Sequence, residues 1–88
     1  MSRTRTPSRS HRRLTDRIAL AIGEVRIGSG VSQTELARRS GVGSKTISSY
    51  ETRERAPGMK VWQLIAIADA LETTPAALIE LATQQEIA

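Results

Sequence analysis

The chain has 88 residues, no cysteine and a formal net charge of +4. This length suits one small domain with a single core, and the absence of cysteine excludes disulfides, a thiolate nucleophile and a cysteine-based zinc site. No apolar run approaches the length of a membrane-spanning helix, and the basic N-terminus lacks the apolar segment of a signal peptide.

Charge is divided unevenly along the chain. All thirteen Lys and Arg lie at or before Lys60, where five Asp and Glu leave a net charge of +8. Residues 61–88 have no cation and a net charge of −4, from Asp69, Glu72, Glu80 and Glu86. This polarity indicates that one end of the molecule attracts a polyanion and the other does not. The alternative is a solvated tail that happens to be rich in arginine.

The N-terminal segment, residues 1–13, is a low-complexity mixture of Ser, Thr and Arg with nothing to bury. We expect it to form a disordered basic arm. Thr15 and Asp16 then provide a cap for a first helix that continues to about Ile27, before Gly28-Ser29-Gly30. Its inner face consists of apolar residues at helical spacing: Ile18, Ile22 and Val25.

The segment from Ser32 to Glu51 predicts two short helices joined by a tight glycine turn. Ser32 followed by Glu35 is typical of a capping box, in which the serine oxygen accepts from a helix N–H and the glutamate reaches back to the serine N–H. The first of these helices covers Gln33 to Arg39. Gly41 suits the residue just past its end, where a positive φ is required.

The second helix of this segment, about Ser44 to Thr52, has one apolar and one polar side. Val42, Ile47 and Tyr50 place apolar groups on the inner side. The other side consists of hydrogen-bonding residues: Ser44, Lys45, Ser48, Ser49 and Thr52. A helix that only covers a core would not present such a face, so this layout favours a DNA-reading helix-turn-helix.

Two more helices complete the prediction. A fourth covers about Met59 to Leu71, and a fifth begins at Thr74-Pro75, where threonine caps the helix and proline occupies its first turn. The residues from Thr83 to Ala88 are expected to fray. The core positions of these helices are Val61, Leu64, Ala68 and Leu71, then Leu78, Leu81 and Ala82. No alternating strand pattern of useful length occurs, so the predicted fold class is all-α with five short helices.

From about Ile22 to Leu81 the chain resembles the Cro/repressor-type helix-turn-helix family, also called the XRE family. Ser32-Gln33, Leu36-Ala37, Gly41-Val42, and Ile47 with Glu51 carry the resemblance, all in register. It implies a compact five-helix DNA-binding domain over residues 14–82, between the arm of residues 1–13 and a flexible tail of residues 83–88. There are departures: Gly43 stands where a serine or threonine cap is usual, Arg53 stands where glycine is usual, and the segment after Glu51 is slightly long.

The resemblance implies that the second motif helix enters the major groove of double-stranded DNA. The residues expected to read base edges are Gln33, Ser44, Lys45 and Ser49, since lysine can donate to guanine and glutamine can pair with adenine. Backbone contacts are expected from Thr46, Ser48, Thr52, Arg53 and Arg55. The arm supplies Arg3, Arg5, Arg9, Arg12 and Arg13 for the minor groove or the phosphates. Arg26 and Glu51 are expected to form an ion pair between helix 1 and this helix; the alternative for Arg26 is a phosphate contact.

Trp62, Ile65 and Ile79 lie off the core stripes and exceed the apolar surface that one small monomer needs. They indicate either a deeply buried fourth helix or a self-complementary homodimer contact. In a dimer the two motif helices would lie about 34 Å apart, one helical turn of DNA. The acidic C-terminal third then points away from DNA or contacts a protein partner.

Together with the family resemblance, these patterns predict a sequence-specific transcriptional regulator, a repressor or Cro-like switch. The resemblance implies that it acts in the bacterial or phage-infected cytoplasm, at the nucleoid. The alternative is a DNA-binding antitoxin that holds its toxin with the acidic C-terminal helices; a pure protein-interaction domain is a third reading. Enzyme activity, cofactors and metals are not expected. His11, the only histidine, has no partner residue, and Gly28-Ser29-Gly30 follows a helix rather than the strand that a phosphate-binding loop requires.

Overall fold

The computed structural model describes the backbone of residues 9–52 and 59–87, and the side chains of residues 14–52 and 59–84. Over these residues the chain has α-helices joined by short turns and loops and has no strand, as the sequence predicts. The five helices, in chain order, are α1 (Arg9–Gly28), α2 (Gln33–Ser40), α3 (Ser44–Thr52), α4 (Val61–Ala70) and α5 (Pro75–Ile87).

Each helix contributes one large, fully buried side chain to a single core. These five side chains are Ile22, Leu36, Ile47, Ile67 and Leu78. Around them α1 packs against α3 and α5, α2 against α3 and α4, and α4 against α5. Because every helix depends on the shared core, none of these short helices has to be stable by itself.

The first helix begins at Arg9, earlier than the sequence predicts. Thr15 and Asp16 lie within α1, so their interpretation as a helix cap is wrong. Arginine is a good helix former, and a helix that is already nucleated by packing extends at little cost. Residues 9–13, which were expected in the arm, therefore form the first turns of α1; residues 1–8 lie outside the described part of the chain.

The core face of α4 differs from the predicted one. Ile67 is fully buried, whereas Val61, which was expected in the core, is 74% exposed. Val61 is the first residue of α4. It shares a stripe with Leu64 and Ala68, but it lies at the end of the helix, where no neighbouring helix covers it. The predicted stripe has the correct helical spacing, but the core ends before it reaches Val61.

The fifth helix begins as predicted and ends later. Thr74 Oγ1 accepts a hydrogen bond from the Ala77 amide at 3.0 Å, directly before Pro75, the first residue of α5. The tail of residues 83–88, which was expected to fray, is helical as far as Ile87. Packing against α1 supports this extension.

The turn between α4 and α5 contains a residue in an uncommon backbone conformation. Glu72 has a φ of 59°, and it is the only residue other than glycine with positive φ in the described part of the chain. A side chain in this left-handed region is strained, because its Cβ approaches the backbone. The strain is tolerated where α4 must reverse direction into α5.

Candidate nucleic-acid interface

The two faces of α3 separate as the sequence predicts. Ile47 and Tyr50 are buried in the core. Ser44 and Lys45, at the N-terminal end of the helix, are exposed. The remaining polar residues of the face are partly or fully exposed: Thr46, Ser48, Ser49 and Thr52. The helix therefore presents a continuous hydrogen-bonding surface to solvent while its apolar side fixes it to the domain.

The turn that orients α3 is built on a serine cap and a left-handed glycine. Ser32 Oγ accepts a hydrogen bond from the Glu35 amide at 3.0 Å, so Ser32 begins α2 as predicted. Gly41 has a φ of 78° and its N–H donates to the Ala37 carbonyl, which ends α2. A residue with a Cβ would be strained at this φ, so glycine permits the turn.

The carboxylate of Glu35 has a different partner from the one predicted. Rather than reaching back to Ser32, it accepts hydrogen bonds from Arg38, and from Arg39 Nε at 2.7 Å. The bonds from Arg38 and then Arg39 lower the pKa of Glu35 to about 2. The reciprocal half of the capping box is therefore replaced by ion pairs one turn along the same helix, where opposite charges meet easily.

Arg26 and Glu51, the two residues expected to pair, form a bidentate ion pair between α1 and α3. Arg26 Nε lies 2.6 Å from Glu51 Oε2, and Arg26 Nη2 lies 2.8 Å from Glu51 Oε1. The third nitrogen, Nη1, donates to the Val31 carbonyl at 2.6 Å, in the loop before α2. All three nitrogens of the guanidinium are thus engaged within the protein, which favours a structural role for Arg26 over a phosphate contact.

This pair is largely shielded from water. The Arg26 and Glu51 side chains are only 12% and 14% exposed. Hydrogen bonding to Glu51 raises the pKa of Arg26. The hydrogen bonds from Arg26 lower the pKa of Glu51; burial opposes this effect and a bond from Gln33 adds to it. Both groups are therefore held in their charged forms, and charge-assisted bonds of this kind are among the stronger ones in proteins.

Gln33 is anchored to the same carboxylate. Its Nε2 donates to Glu51 Oε1 at 2.9 Å, and its side chain is partly exposed at the start of α2. This bond uses one N–H of the side-chain amide; the second N–H and the carbonyl oxygen take no part in it. The residue expected to read an outer base is thereby joined to the helix expected to read the central ones.

A second link also holds the C-terminal end of α3, this time to α4, and sequence reasoning missed it. Tyr50 Oη donates to Gln63 Oε1 at 3.0 Å, and the same oxygen accepts from the Lys60 amide at 3.0 Å. Gln63 is the third residue of α4, the position of the glutamine in a capping box. The glutamine at this position was visible in the sequence. A capping box is recognised by a serine or threonine at the N-cap, however, and here the N-cap is Lys60.

The remaining predicted contact residues are placed only in part. Arg3, Arg5, Arg53 and Arg55 lie outside the described residues. The other arm arginines, Arg9, Arg12 and Arg13, belong to the first turns of α1, and only their backbone is described. The structure therefore places Ser44, Lys45 and Ser49 on the solvent-facing side of α3 and joins Gln33 to the same helix through Glu51, and it leaves the arm contacts as expectations.

The apolar residues expected to form a dimer contact are exposed. Trp62, Ile65 and Ile79 are 53%, 52% and 38% exposed, so α4 is not the deeply buried helix of the alternative interpretation. Val61 on the same helix is also exposed. Within the described residues, no group of His, Cys, Asp or Glu could hold a metal ion, and no helix is long and apolar enough to cross a membrane.

Comparison with known proteins identifies this arrangement. A family model described as helix-turn-helix matches residues 22–78, which include all of α2, α3 and α4. Among solved structures, a tyrosine-to-phenylalanine mutant of the restriction-modification controller protein C.Esp1396I is similar, with a TM-score of 0.74 and 23% identity over 84% of this chain and 91% of that chain. At this identity the likeness establishes a shared fold. No match was found among the curated proteins.

Proposed function

The chain belongs to the Cro/repressor-type, or XRE, helix-turn-helix family and is a DNA-binding transcription regulator rather than an enzyme; on that premise we propose that it recognises a specific operator with α3 in the major groove. The observation that carries this proposal is the division of α3. Its apolar side is buried, its polar side faces solvent, and its C-terminal end is fixed to α1 and α4 by hydrogen bonds.

Base recognition is assigned to the exposed residues nearest the start of α3 and to Gln33. Lys45 is the strongest candidate, because an ammonium group can donate to O6 and N7 of guanine. Ser44 and Ser49 can donate or accept and therefore discriminate less. Gln33 can use the part of its amide that does not contact Glu51, and glutamine commonly pairs with adenine.

Phosphate contacts are assigned to residues around this surface, which fix the register of the domain on DNA without reading sequence. The proposed set contains Thr46, Ser48, Thr52, Arg53 and Arg55, with Arg3, Arg5, Arg9, Arg12 and Arg13 from the N-terminal segment. The net charge of +8 over the first sixty residues supports this assignment, because phosphate neutralisation dominates the affinity of DNA-binding proteins.

We further propose that the protein binds DNA as a homodimer through the exposed apolar residues of α4 and α5. Trp62 is a large aromatic residue of the kind that anchors interfaces, and Ile65 and Ile79 extend the apolar surface. Residues 61–88 contain no Lys or Arg, so this surface does not attract DNA and is free for a protein contact. A two-fold axis here would place two copies of α3 about 34 Å apart, on successive turns of the duplex.

Repression is the regulatory outcome that this arrangement favours, since a small domain on an operator acts by occupying it. Such a protein would act at the nucleoid in the cytoplasm and respond to its own concentration. The exposed apolar surface on acidic helices also supports a second candidate, an antitoxin that holds a toxin there. Co-purification of a defined toxin encoded by a neighbouring gene would favour the antitoxin.

Selection of binding sites from random duplex DNA tests the main proposal. We expect a two-fold symmetric consensus, and the absence of any consensus would contradict sequence-specific recognition. On the selected site, Lys45→Ala should cost about 1–3 kcal/mol of binding free energy and far less on random DNA. Lys60→Ala is the matched control, because it removes an equal charge at the exposed start of α4. Equal losses for Lys45→Ala on both DNAs would make Lys45 a phosphate contact.

The role of the N-terminal segment has its own test. Since α1 begins at Arg9, deletion of residues 1–8 removes Arg3 and Arg5 without shortening the helix. We expect weaker binding to all sequences alike and a log–log salt dependence that is less steep by about 0.9 for each lost phosphate contact. An unchanged salt dependence would rule out contacts by these two arginines.

A further inference from the structure

The second turn from the end of α1 contains a buried glycine at the point where Glu51 meets the helix. A Cβ on Gly23 would lie 3.2 Å from Cγ and 3.3 Å from Cδ of Glu51, and 3.7 Å from its Oε1. The first two distances are shorter than ordinary van der Waals contacts between carbon atoms. Gly23 is helical with an ordinary φ, so its conformation alone does not require glycine.

Glycine inside a helix is destabilising relative to alanine, because it loses more backbone entropy on folding. At Gly23 a side chain would press against the Glu51 carboxylate, which would have to move by a few tenths of an ångström. The other glycine of α1 offers a contrast, since a Cβ on Gly28 would meet no atom within 4 Å. The carboxylate thus lies closer to the axis of α1 than any residue with a side chain at position 23 would allow without displacement.

The position of the Glu51 carboxylate determines two hydrogen bonds, one from Arg26 and one from Gln33. Glu51 Oε1 accepts from Arg26 Nη2 at 2.8 Å and from Gln33 Nε2 at 2.9 Å. The Arg26 bonds are bidentate and join two charged groups, whereas Gln33 offers the carboxylate a single bond from a neutral amide, so the Arg26 pair is the stronger of the two. If the carboxylate is displaced, the guanidinium will follow it and the weaker Gln33 bond will be lost.

We propose that Gly23 is a specificity-determining positioning residue, whose missing side chain lets Glu51 hold the Gln33 amide in a fixed orientation for base recognition. This inference rests on the proposed function of Gln33. Gly23 itself does not contact DNA; it acts through Glu51, and Glu51 acts through Gln33. The effect of a larger residue at position 23 should therefore fall on operator binding and not on general affinity for DNA.

The test compares Gly23→Ala with Gly28→Ala, the same change in the same helix where no atom is near. Gly23→Ala should reduce the ratio of operator to random-DNA affinity by roughly three- to tenfold, the size of coupling that neighbouring side chains commonly show. Its midpoint in urea should stay close to that of the wild type, because the helix propensity that alanine adds offsets the crowding of Glu51 and the lost Gln33 bond. Gly28→Ala should leave both affinities unchanged. An equal loss on both DNAs, or no loss, would overturn the proposal.

A double-variant comparison tests the route through Gln33. In a Gln33→Ala background, Gly23→Ala should produce no further change in the affinity ratio, whereas an undiminished effect would overturn the proposal. The free protein provides a separate readout: the two side-chain amide proton signals of Gln33 should move in Gly23→Ala while the Arg26 Nε–H signal persists. Unchanged Gln33 signals would overturn the positioning role of Gly23 and leave the proposed function intact. A wild-type protein that selects no DNA site would overturn both.

Discussion

The helices α1 to α3 and the helices α4 to α5 of this domain are stabilised in different ways. The first group is joined by a shielded polar network in which Arg26, Glu51 and Gln33 fix the angle of α3. The second group has no internal ion pair in the described residues and leaves Trp62 and Ile65 exposed. Directional bonds occur where one orientation is required, and apolar surface occurs where a partner is expected.

This difference separates two requirements of a DNA-reading protein. Hydrogen bonds depend steeply on distance and angle, so a network of them suits a helix that must present side chains to base edges. Hydrophobic burial is not directional and scales with area, so it suits association with a second subunit. Breaking each kind of contact should therefore have different consequences for folding, operator binding and association.

The largest expected effect comes from two isoleucines that lie two positions apart on α4. Ile67 is fully buried, and Ile67→Ala should lower the free energy of unfolding by about 3 kcal/mol, the cost of a cavity in a packed core. Ile65→Ala should cost less than about 1 kcal/mol, because a half-exposed side chain loses little burial. Urea unfolding at a concentration where the protein is monomeric measures both losses. Sedimentation should show that only Ile65→Ala weakens the proposed dimer while the fold is retained. Similar unfolding losses for the two would contradict the assigned core.

The polar network should be the next most sensitive feature. Arg26→Ala leaves the shielded Glu51 carboxylate without its cation and should cost about 2–3 kcal/mol of folding stability, somewhat less than for a fully buried pair. Arg38→Ala is the matched control, since Arg38 also pairs with a glutamate but is well exposed. Exposed pairs contribute little, so this variant should unfold at nearly the wild-type urea concentration. A comparable loss in both variants would mean that shielding is not what distinguishes the Arg26 pair.

A smaller effect should appear on acidification. The pKa of Glu51 is lower in the folded state than its ordinary value of 4.5, so its contribution to stability is complete above that value. As the pH falls through the folded pKa, the carboxylate binds a proton and the contribution is lost. Unfolding measured from pH 7 downwards should therefore show a gap between the wild type and Glu51→Gln that narrows in acid. A stability gap that does not change with pH would mean that Glu51→Gln acts through packing rather than charge. Glu35→Gln is the control, because it removes the exposed ion pairs of α2.

The smallest of these effects concerns the turn in the C-terminal region. Glu72 has a φ of 59°, which glycine adopts without strain. Glu72→Gly should therefore stabilise the domain by about 0.5–1 kcal/mol, and thermal unfolding should show a higher midpoint. Glu72→Gln retains the side chain and removes only the charge, so it should give no comparable gain. If both variants are equally stabilised, repulsion among acidic groups is the cause.

The sequence predicted those parts of the molecule that depend on neighbouring residues. Ser32, Gly41 and Thr74 have the predicted capping roles, because caps and turns follow from local backbone geometry. The buried side of α3 was also predicted, since Ile47 and Tyr50 follow helical periodicity. The match of a family model to residues 22–78 reflects the same local pattern.

The parts that were not predicted depend on contacts between distant residues. Periodicity places Val61 and Leu64 on one stripe but cannot show where along the axis the core ends. The bond between Tyr50 and Gln63 and the anchoring of Gln33 join residues on different helices, and no spacing rule announces them. The early start of α1 at Arg9 has the same origin, because packing extends a helix through residues whose composition suggests disorder.

The hydrogen bond between Tyr50 and Gln63 has a consequence for how this kind of domain diversifies. It joins the end of α3 directly to the start of α4, on either side of residues 53–58. The position of α3 relative to α4 therefore does not depend on the connecting peptide alone. Insertions or deletions in that connection should therefore disturb α3 less than they would without this bond, so the length of the connection can change while the placement of α3 is retained.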